Sequence, residues 1–251
     1  FHVQGVNSTS ANYALKVDNS ASSPLLYVRN DGNVYSHGVG SIVTNTAFGL
    51  NSLLSNLTGS DNTVYGVNAM RVNTTGTNNT AVGVNALYNS NGSFNTATGY
   101  ISLESNTGDR NTAFGYGSLS VNTTGIRNTA VGMFAGNVNS VGDDNVFIGY
   151  NANALSNNLT NAIAIGYNAT VSSSNSMVLG EGVNVGIGIP SPAAKLHIKG
   201  IDSTSSNYAL KVDNSASSPL LYVRNDGQVE MNGFTIRQLS SSTIFKTSGT
   251  S

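Results

Sequence analysis

Side chains able to do acid, base or metal chemistry are scarce in this 251-residue chain, and their positions argue against catalysis. Histidine occurs at His2, His37 and His197, and cysteine is absent. No disulfide, thiolate nucleophile or thiolate metal site is therefore possible. A Ser-His-Asp hydrolase needs an acid and a poised serine beside its histidine. His2 and His197 instead occupy equivalent places in a duplicated stretch, which fits a structural role used twice. A glycosidase needs two opposed carboxylates. The acids of the central region are Asp61, Glu104, Asp109, Asp143, Asp144 and Glu181, and only Asp143 and Asp144 are adjacent. Four of the six fall in turn phrases, so solvated turns are expected, with a weak cation site at Asp143-Asp144 as the alternative. No catalytic residue, metal-ligand set or cofactor is expected, and the protein is read as not an enzyme.

Charge also narrows the partners. Lys and Arg number 11 against 12 Asp and Glu, with no run of one sign, so neither nucleic acid nor an anionic membrane finds an electrostatic footprint. Charged residues make up 9% of the chain, against an average of about 25%, and Asn, Ser, Thr and Gly carry the polarity instead. No apolar stretch approaches the ~20 residues needed to cross a bilayer. Phe1-His2-Val3-Gln4 lacks the layout of a signal peptide and reads as the middle of an element. Triplets such as Asn56-Leu57-Thr58 match a glycosylation acceptor but arise by chance in so Asn- and Thr-rich a chain.

The elements that position these residues are set by a repeat. Asn-Thr-Ala-Phe-Gly at 45–49 returns with small changes, placing glycine at 49, 66, 83, 99, 115, 132, 149, 166 and 180. Steps of 14 to 17 residues are too short for a domain and match the coils of a solenoid. Period-two alternation over residues such as Thr63-Val64-Tyr65 predicts a short strand per coil. Its Thr and aromatic side is expected to face inward, a choice that argues against ice binding by the Thr rows. A second apolar pulse, at Leu53, Met70, Leu87, Leu103, Leu119 and Leu155, is expected to add one inward contact per coil. Gly-x-x-Asn phrases such as Gly59 to Asn62 and Gly125 to Asn128 are expected to turn the corners with left-handed backbone at Gly and Asn. Leu50, Val67, Val84, Tyr100, Tyr116, Met133, Tyr150 and Tyr167 follow the glycines as an apolar strip. Its length suits burial between subunits better than exposure on a monomer, with a stacking platform for sugars as the alternative.

The array is bracketed by two copies of one module. Residues 8–34 match 203–229 at an offset of 195, differing at Ala11/Ser206 and Asn33/Gln228. Tyr13 to Val17, Leu25 to Arg29 and Asn33 to Tyr35 are predicted strands, joined by a turn-rich segment and by Asn30-Asp31-Gly32. Three strands this short cannot close a core alone. The predicted domains are a β module over 1–44, the array over 45–189, and the second module with a C-terminal tip over 190–251, where 233–246 reads as a strand pair or threaded tail.

The phrase Asn161-Ala162-Ile163-Ala164-Ile165-Gly166-Tyr167-Asn168-Ala169 resembles the head repeats of trimeric autotransporter adhesins and of phage and viral tail fibres. The segment from Asn184 through Ile189-Pro190-Ser191-Pro192 to Ile198 is similar to one found in such fibres, often ahead of an endosialidase-type chaperone that cuts itself off after a serine. The resemblance implies an all-β, elongated homotrimer of parallel left-handed β-rolls flanked by trimeric β-prism-like shafts. It also implies a virion location, other tail components as partners, and attachment to a host surface receptor, a carbohydrate. Ser251 would be the terminus left by the chaperone. Most repeats depart from the adhesin pattern in carrying Thr for a branched aliphatic residue and in being longer. A bacterial surface adhesin head is the competing expectation; a tailspike hydrolase and a disordered Asn-rich segment are weaker ones.

Overall fold

Each repeat contributes one short strand, and the strands stack in parallel because successive coils place the same phrase at the same point of the turn. The computed structural model describes residues 44–204, 207–217 and 219–231, together with the strand backbones at 13–18, 24–29, 34–36, 234–239 and 242–247. Every regular element among them is a β-strand. The first three are β1 (Tyr13–Asp18), β2 (Pro24–Arg29) and β3 (Val34–Ser36). The array supplies β4 (Thr46–Phe48), β5 (Thr63–Tyr65), β6 (Thr80–Val82), β7 (Thr96–Thr98), β8 (Thr112–Phe114), β9 (Thr129–Val131), β10 (Val146–Ile148), β11 (Asn153–Ala154), β12 (Ala162–Ile165), β13 (Thr170–Val171) and β14 (Ser176–Leu179). After it come β15 (Val185–Ile187), β16 (Leu196–Ile198), β17 (Tyr208–Asp213), β18 (Pro219–Arg224), β19 (Val229–Met231), β20 (Phe234–Leu239) and β21 (Ser242–Thr247).

Nine of these strands form one parallel sheet running from β4 to β14 and skipping only β11 and β13, which pair with each other. Register is exact in steps of one coil: Thr46 pairs with Thr63, Thr63 with Thr80, and Val146 with Ile163. The architecture is a parallel β-solenoid. Its sheet ends at β14, and Val185–Ile187 pairs instead with Leu196–Ile198. The chain divides into two compact units, 1–181 and 182–251.

The strands face the opposite way from the sequence expectation. Val64, Ala81, Ala97, Ala113, Ala130 and Phe147, the middle residues, are fully buried, while Thr63, Tyr65, Thr112 and Phe114 lie on the solvent side. Alternation separates two faces without saying which is inner; side-chain volume decides. The interior of the coil is already occupied by Leu53, Met70, Leu87, Leu103 and Leu119 from its other side, and opposite them only a small residue fits. The exception proves the volume rule. In the coil of β9, Gly136 takes the leucine position, and Phe147 of the next coil fills the space; a Cβ on Gly136 would lie 2.7 Å from the Phe147 ring. Leu155, expected inside, is 69% exposed. It stands six residues after Gly149 rather than four, so it falls just past β11, whose two residues are both buried.

The corners are also built differently. Neither the Gly nor the Asn of the Gly-x-x-Asn phrase is left-handed; the residue just before the Asn is, at Asp61, Asn78, Phe94, Arg110, Arg127 and Asp144, with φ from 57 to 62°. Gly59, Gly76, Gly92, Gly108, Gly125 and Gly142 are required because a Cβ on each would collide with backbone oxygen of the next coil. The asparagines supply hydrogen bonds. Asn62 Oδ1 accepts from Asn79 N at 3.0 Å, and Asn62 Nδ2 donates to Gly76 O at 3.0 Å. Asn79, Asn95, Asn111 and Asn128 repeat both contacts one coil further on. A second buried row, Asn56, Asn73, Asn106, Asn122 and Asn139, donates to the corner glycine carbonyls. Ser90 interrupts it, and its buried Oγ has no partner.

Coil length varies where it costs least. Asn56, Asn73 and Asn122 stand three residues before their corner glycines, whereas Ser90 and Asn106 stand two before theirs. The residue lost lies in the outer link, where Leu57, Thr58, Asn91, Thr107 and Thr124 are exposed, so the sheet keeps its register.

Sequence duplication gives duplicated pairing. Tyr13 pairs with Arg29 and Tyr208 with Arg224, each followed by a bulge at the same place. β17 to β21 form an antiparallel sheet in chain order, and its last two strands are the pair anticipated near the C-terminus. A polar knot precedes it: Asp202 accepts from Asn225 Nδ2, Thr204 N and Asn207 Nδ2. These bonds, that of Asn225 first, hold the Asp202 carboxyl down to about 2. The matching position of the first module is Asn7.

Three outcomes follow from these contacts. Ser90→Asn completes the inner row and raises stability by about 1 kcal/mol, read from the midpoint of denaturant unfolding; Asn106 shows that asparagine fits the shorter coil. Gly136→Leu overpacks by ~1–3 kcal/mol and Phe147→Ala opens a cavity of ~3–5 kcal/mol. The double variant restores the ordinary repeat, so its loss should fall well short of the sum, by at least ~1 kcal/mol. Because the folded-state value of Asp202 is depressed, its contribution is full above ~3.9, the ordinary value. It fades as pH falls through about 2. Carboxyl NMR titration should find Asp202 ionised at pH 3, and Asp202→Asn should remove that pH dependence.

Candidate functional site

The outward rows of the nine-stranded sheet form the surface with most to explain. Along most coils the order is Thr, a buried small residue, an apolar residue, Gly, then another apolar residue, as in Thr112-Ala113-Phe114-Gly115-Tyr116, with Thr98 at the first apolar place in the coil of β7 and Val146-Phe147 opening that of β10. The glycines take φ between 124 and 141° from Gly49 to Gly166. A Cβ on Gly66, Gly99 or Gly132 would run into backbone of the following coil, so the coils approach closely here as they do at the corners. The turn at glycine leaves its two apolar neighbours exposed on either side of a ridge.

One flank carries Phe48, Tyr65, Val82, Phe114, Val131 and Ile148; the other carries Leu50, Val67, Val84, Tyr100, Tyr116, Met133, Tyr150 and Tyr167. Rings stack from coil to coil, with centroids 5.1 Å apart for Phe48 and Tyr65, 5.2 Å for Tyr100 and Tyr116, and 5.4 Å for Tyr150 and Tyr167. With exposures such as 45% at Tyr65 and 43% at Tyr116, the ridge presents apolar surface on the order of 1,000 Å², beyond the roughly 300–600 Å² of the largest patch on a typical monomer. No Lys, Arg, Asp or Glu interrupts the rows from Thr46 to Tyr167. The strip after the glycines is thus on the outer surface of the single chain, and the Thr and aromatic flank expected in the core joins it. The Thr row, outward too, alternates with these aromatic and aliphatic side chains, so it presents no flat sheet of hydroxyls.

The groups considered for chemistry are dispersed. Asp109 Oδ1 and Asp143 Oδ1 accept from Ser93 N and Ile126 N of the preceding coils, both at 2.8 Å, and Asp61 accepts from Ser60 Oγ. Asp144 forms a two-point pair with Arg127, at 2.6 and 2.8 Å, which pulls its carboxyl below the ordinary range and raises the guanidinium. Asp143 and Asp144 therefore serve different partners. His197 Nδ1 accepts from Ala193 N at 3.1 Å, a contact that shapes the link between β15 and β16. Among the described residues no three His, Asp or Glu side chains gather in a metal-binding group. His2, His37 and Ser251 lie outside the described residues.

A further surface row was not singled out from the sequence. The left-handed corner residues Asp61, Asn78, Phe94, Arg110, Arg127 and Asp144 stack along the outside of the roll. Their signal was available: the position before each corner asparagine changes between acidic, amide, aromatic and basic residues while the asparagine itself does not change.

Fold and surface together define a repeat-built parallel β-solenoid with one apolar wall. No family model, curated protein or solved structure matches the chain. Among the described residues no helix is long and apolar enough to cross a membrane.

Proposed function

We propose that this chain is a structural and adhesive segment of a homotrimeric fibre, of the kind that attaches a phage or virus to its host. The observation that carries the reading is the continuous, uncharged apolar ridge. An exposed apolar row over eight coils, with rings stacked in three pairs, is costly in water and is relieved when further copies cover it. Because the apolar side chains occupy both flanks of a ridge, the surface suits packing around a shared axis, each copy meeting two others, more than a flat two-fold sandwich.

The resemblance of the repeat and of the 184–198 segment to tail fibres supports the virion setting and the left-handed roll with prism-like shafts. The scarcity of charge fits a binding and spacing role. Three chains with many similar coils make weak single contacts to a surface glycan sufficient.

Mass in solution tests the reading. Analytical ultracentrifugation should give three times the 25.9 kDa chain mass. The double variant Val82→Lys/Val131→Lys should dissociate the assembly while the far-ultraviolet spectrum stays β, since both side chains point outward. A monomer of the unmodified chain at micromolar concentration overturns the proposal.

A further inference from the structure

We propose that the corner formed by Phe94 and Arg110 is a binding site for an anionic sugar, the ring face resting on Phe94 and the acidic group held by Arg110. This rests on the adhesive reading above and names the place and the ligand chemistry.

The first ground is Phe94 itself. The row it belongs to is left-handed in every coil, and asparagine and aspartate tolerate that backbone best. Phe94 adopts φ 62° there. Its ring gains no core packing in return, since it is 54% exposed. Its main chain is fixed all the same: Phe94 N donates to Thr77 O at 3.0 Å, and Arg110 N donates to Ser93 O at 3.0 Å. The left-handed backbone is shared by Arg110, Phe134 and the buried leucines and does not single Phe94 out. An exposed ring whose main chain is pinned to the neighbouring coils is nonetheless pre-organised for a ligand with an apolar face.

The second ground is independent and electrostatic. The Arg110 guanidinium lies over one face of the Phe94 ring, 5.5 Å from its centre, so a sugar would meet the ring on its other face or along its edge. No carboxylate among the described residues pairs with it, although Asp109 is its neighbour in sequence, because Asp109 Oδ1 is engaged by Ser93 N. One coil further, Arg127 is neutralised by Asp144. Arg110 is thus the cation in this row whose donor fork remains open, and that fork matches a carboxylate or sulfate. Asn78, one coil before Phe94, adds an exposed amide whose oxygen can accept from a hydroxyl. An aromatic face, a planar cation and an amide in successive coils, ~4.8 Å apart, span one pyranose bearing an acidic group. A free inorganic anion would use Arg110 and leave Phe94 idle; a neutral sugar would use Phe94 and leave Arg110 idle.

The test uses the intact chain and three acidic probes, sialyllactose, a hyaluronan tetrasaccharide and a heparin tetrasaccharide, with lactose and sulfate as controls. Saturation-transfer NMR and calorimetry should detect at least one acidic sugar, bound at least tenfold more tightly than lactose or sulfate. Phe94→Ala and Arg110→Gln should each weaken it by about tenfold, whereas Arg127→Gln should change it less than twofold. Binding of none of the three probes, or binding indifferent to both Phe94→Ala and Arg110→Gln, overturns the site. Loss of assembly mass in Phe94→Ala, measured by ultracentrifugation, would make the ring an inter-subunit contact and also overturn it. The two readings separate cleanly: a monomer that binds the acidic sugar through these residues keeps the site and ends the trimer, and a trimer that binds only neutral glycans keeps the adhesive reading and ends the site.

Discussion

The roll depends on buried asparagine. Each coil reverses direction at corners where main-chain groups leave the sheet, and groups left unpaired there would cost about 1–3 kcal/mol apiece. The Asn62 to Asn145 row closes this account coil by coil: each side chain receives the amide of the next corner and donates to the carbonyl beside it. A side chain with one acceptor and two donors at one end is required, and aspartate would lack the donor. Burial of six polar residues side by side is therefore a condition of the fold. It also fixes register, since a coil shifted by one residue would lose both bonds at every corner.

Much of this was legible before any coordinates. The glycine spacing located every strand of the parallel sheet to within a residue, because strand, corner and glycine occupy fixed places in a coil of nearly constant length. The module duplication predicted duplicated strand pairing, found at Tyr13 with Arg29 and Tyr208 with Arg224. What could not be read was which face of each strand points inward. Alternation in Thr63-Val64-Tyr65 is symmetric between the faces, and side-chain size alone favours the larger residues inward, as in a globular core. A coil this thin has room for one large side chain per turn, and Met70 and Leu87 already supply it. The Gly136 and Phe147 exchange was hidden for the same reason, since it links two coils across the interior rather than along the sequence.

The inversion alters the functional surface more than the fold. With the Thr and aromatic side outward, the strip after the glycines acquires a second flank, and the wall roughly doubles. The Phe94 and Arg110 corner was invisible to pattern reading because patterns reward repetition, and what distinguishes this corner is its departure from the row. Phe94 breaks a series of Asp61 and Asn78; Arg110 lacks the acid that Arg127 has in Asp144. Regular positions build the scaffold, and irregular ones are where recognition can be written.

The variable outer link carries a consequence for descent. Because a coil gains or loses a residue between its inner asparagine and its corner glycine without disturbing the sheet, unequal recombination between near-identical phrases, such as 79–83 and 128–132, yields chains that still fold. Reach would then change in increments of one strand spacing, ~4.8 Å. A lineage could lengthen or shorten its roll, and shuffle which corners it displays, by changing the number of coils while inventing no new structure.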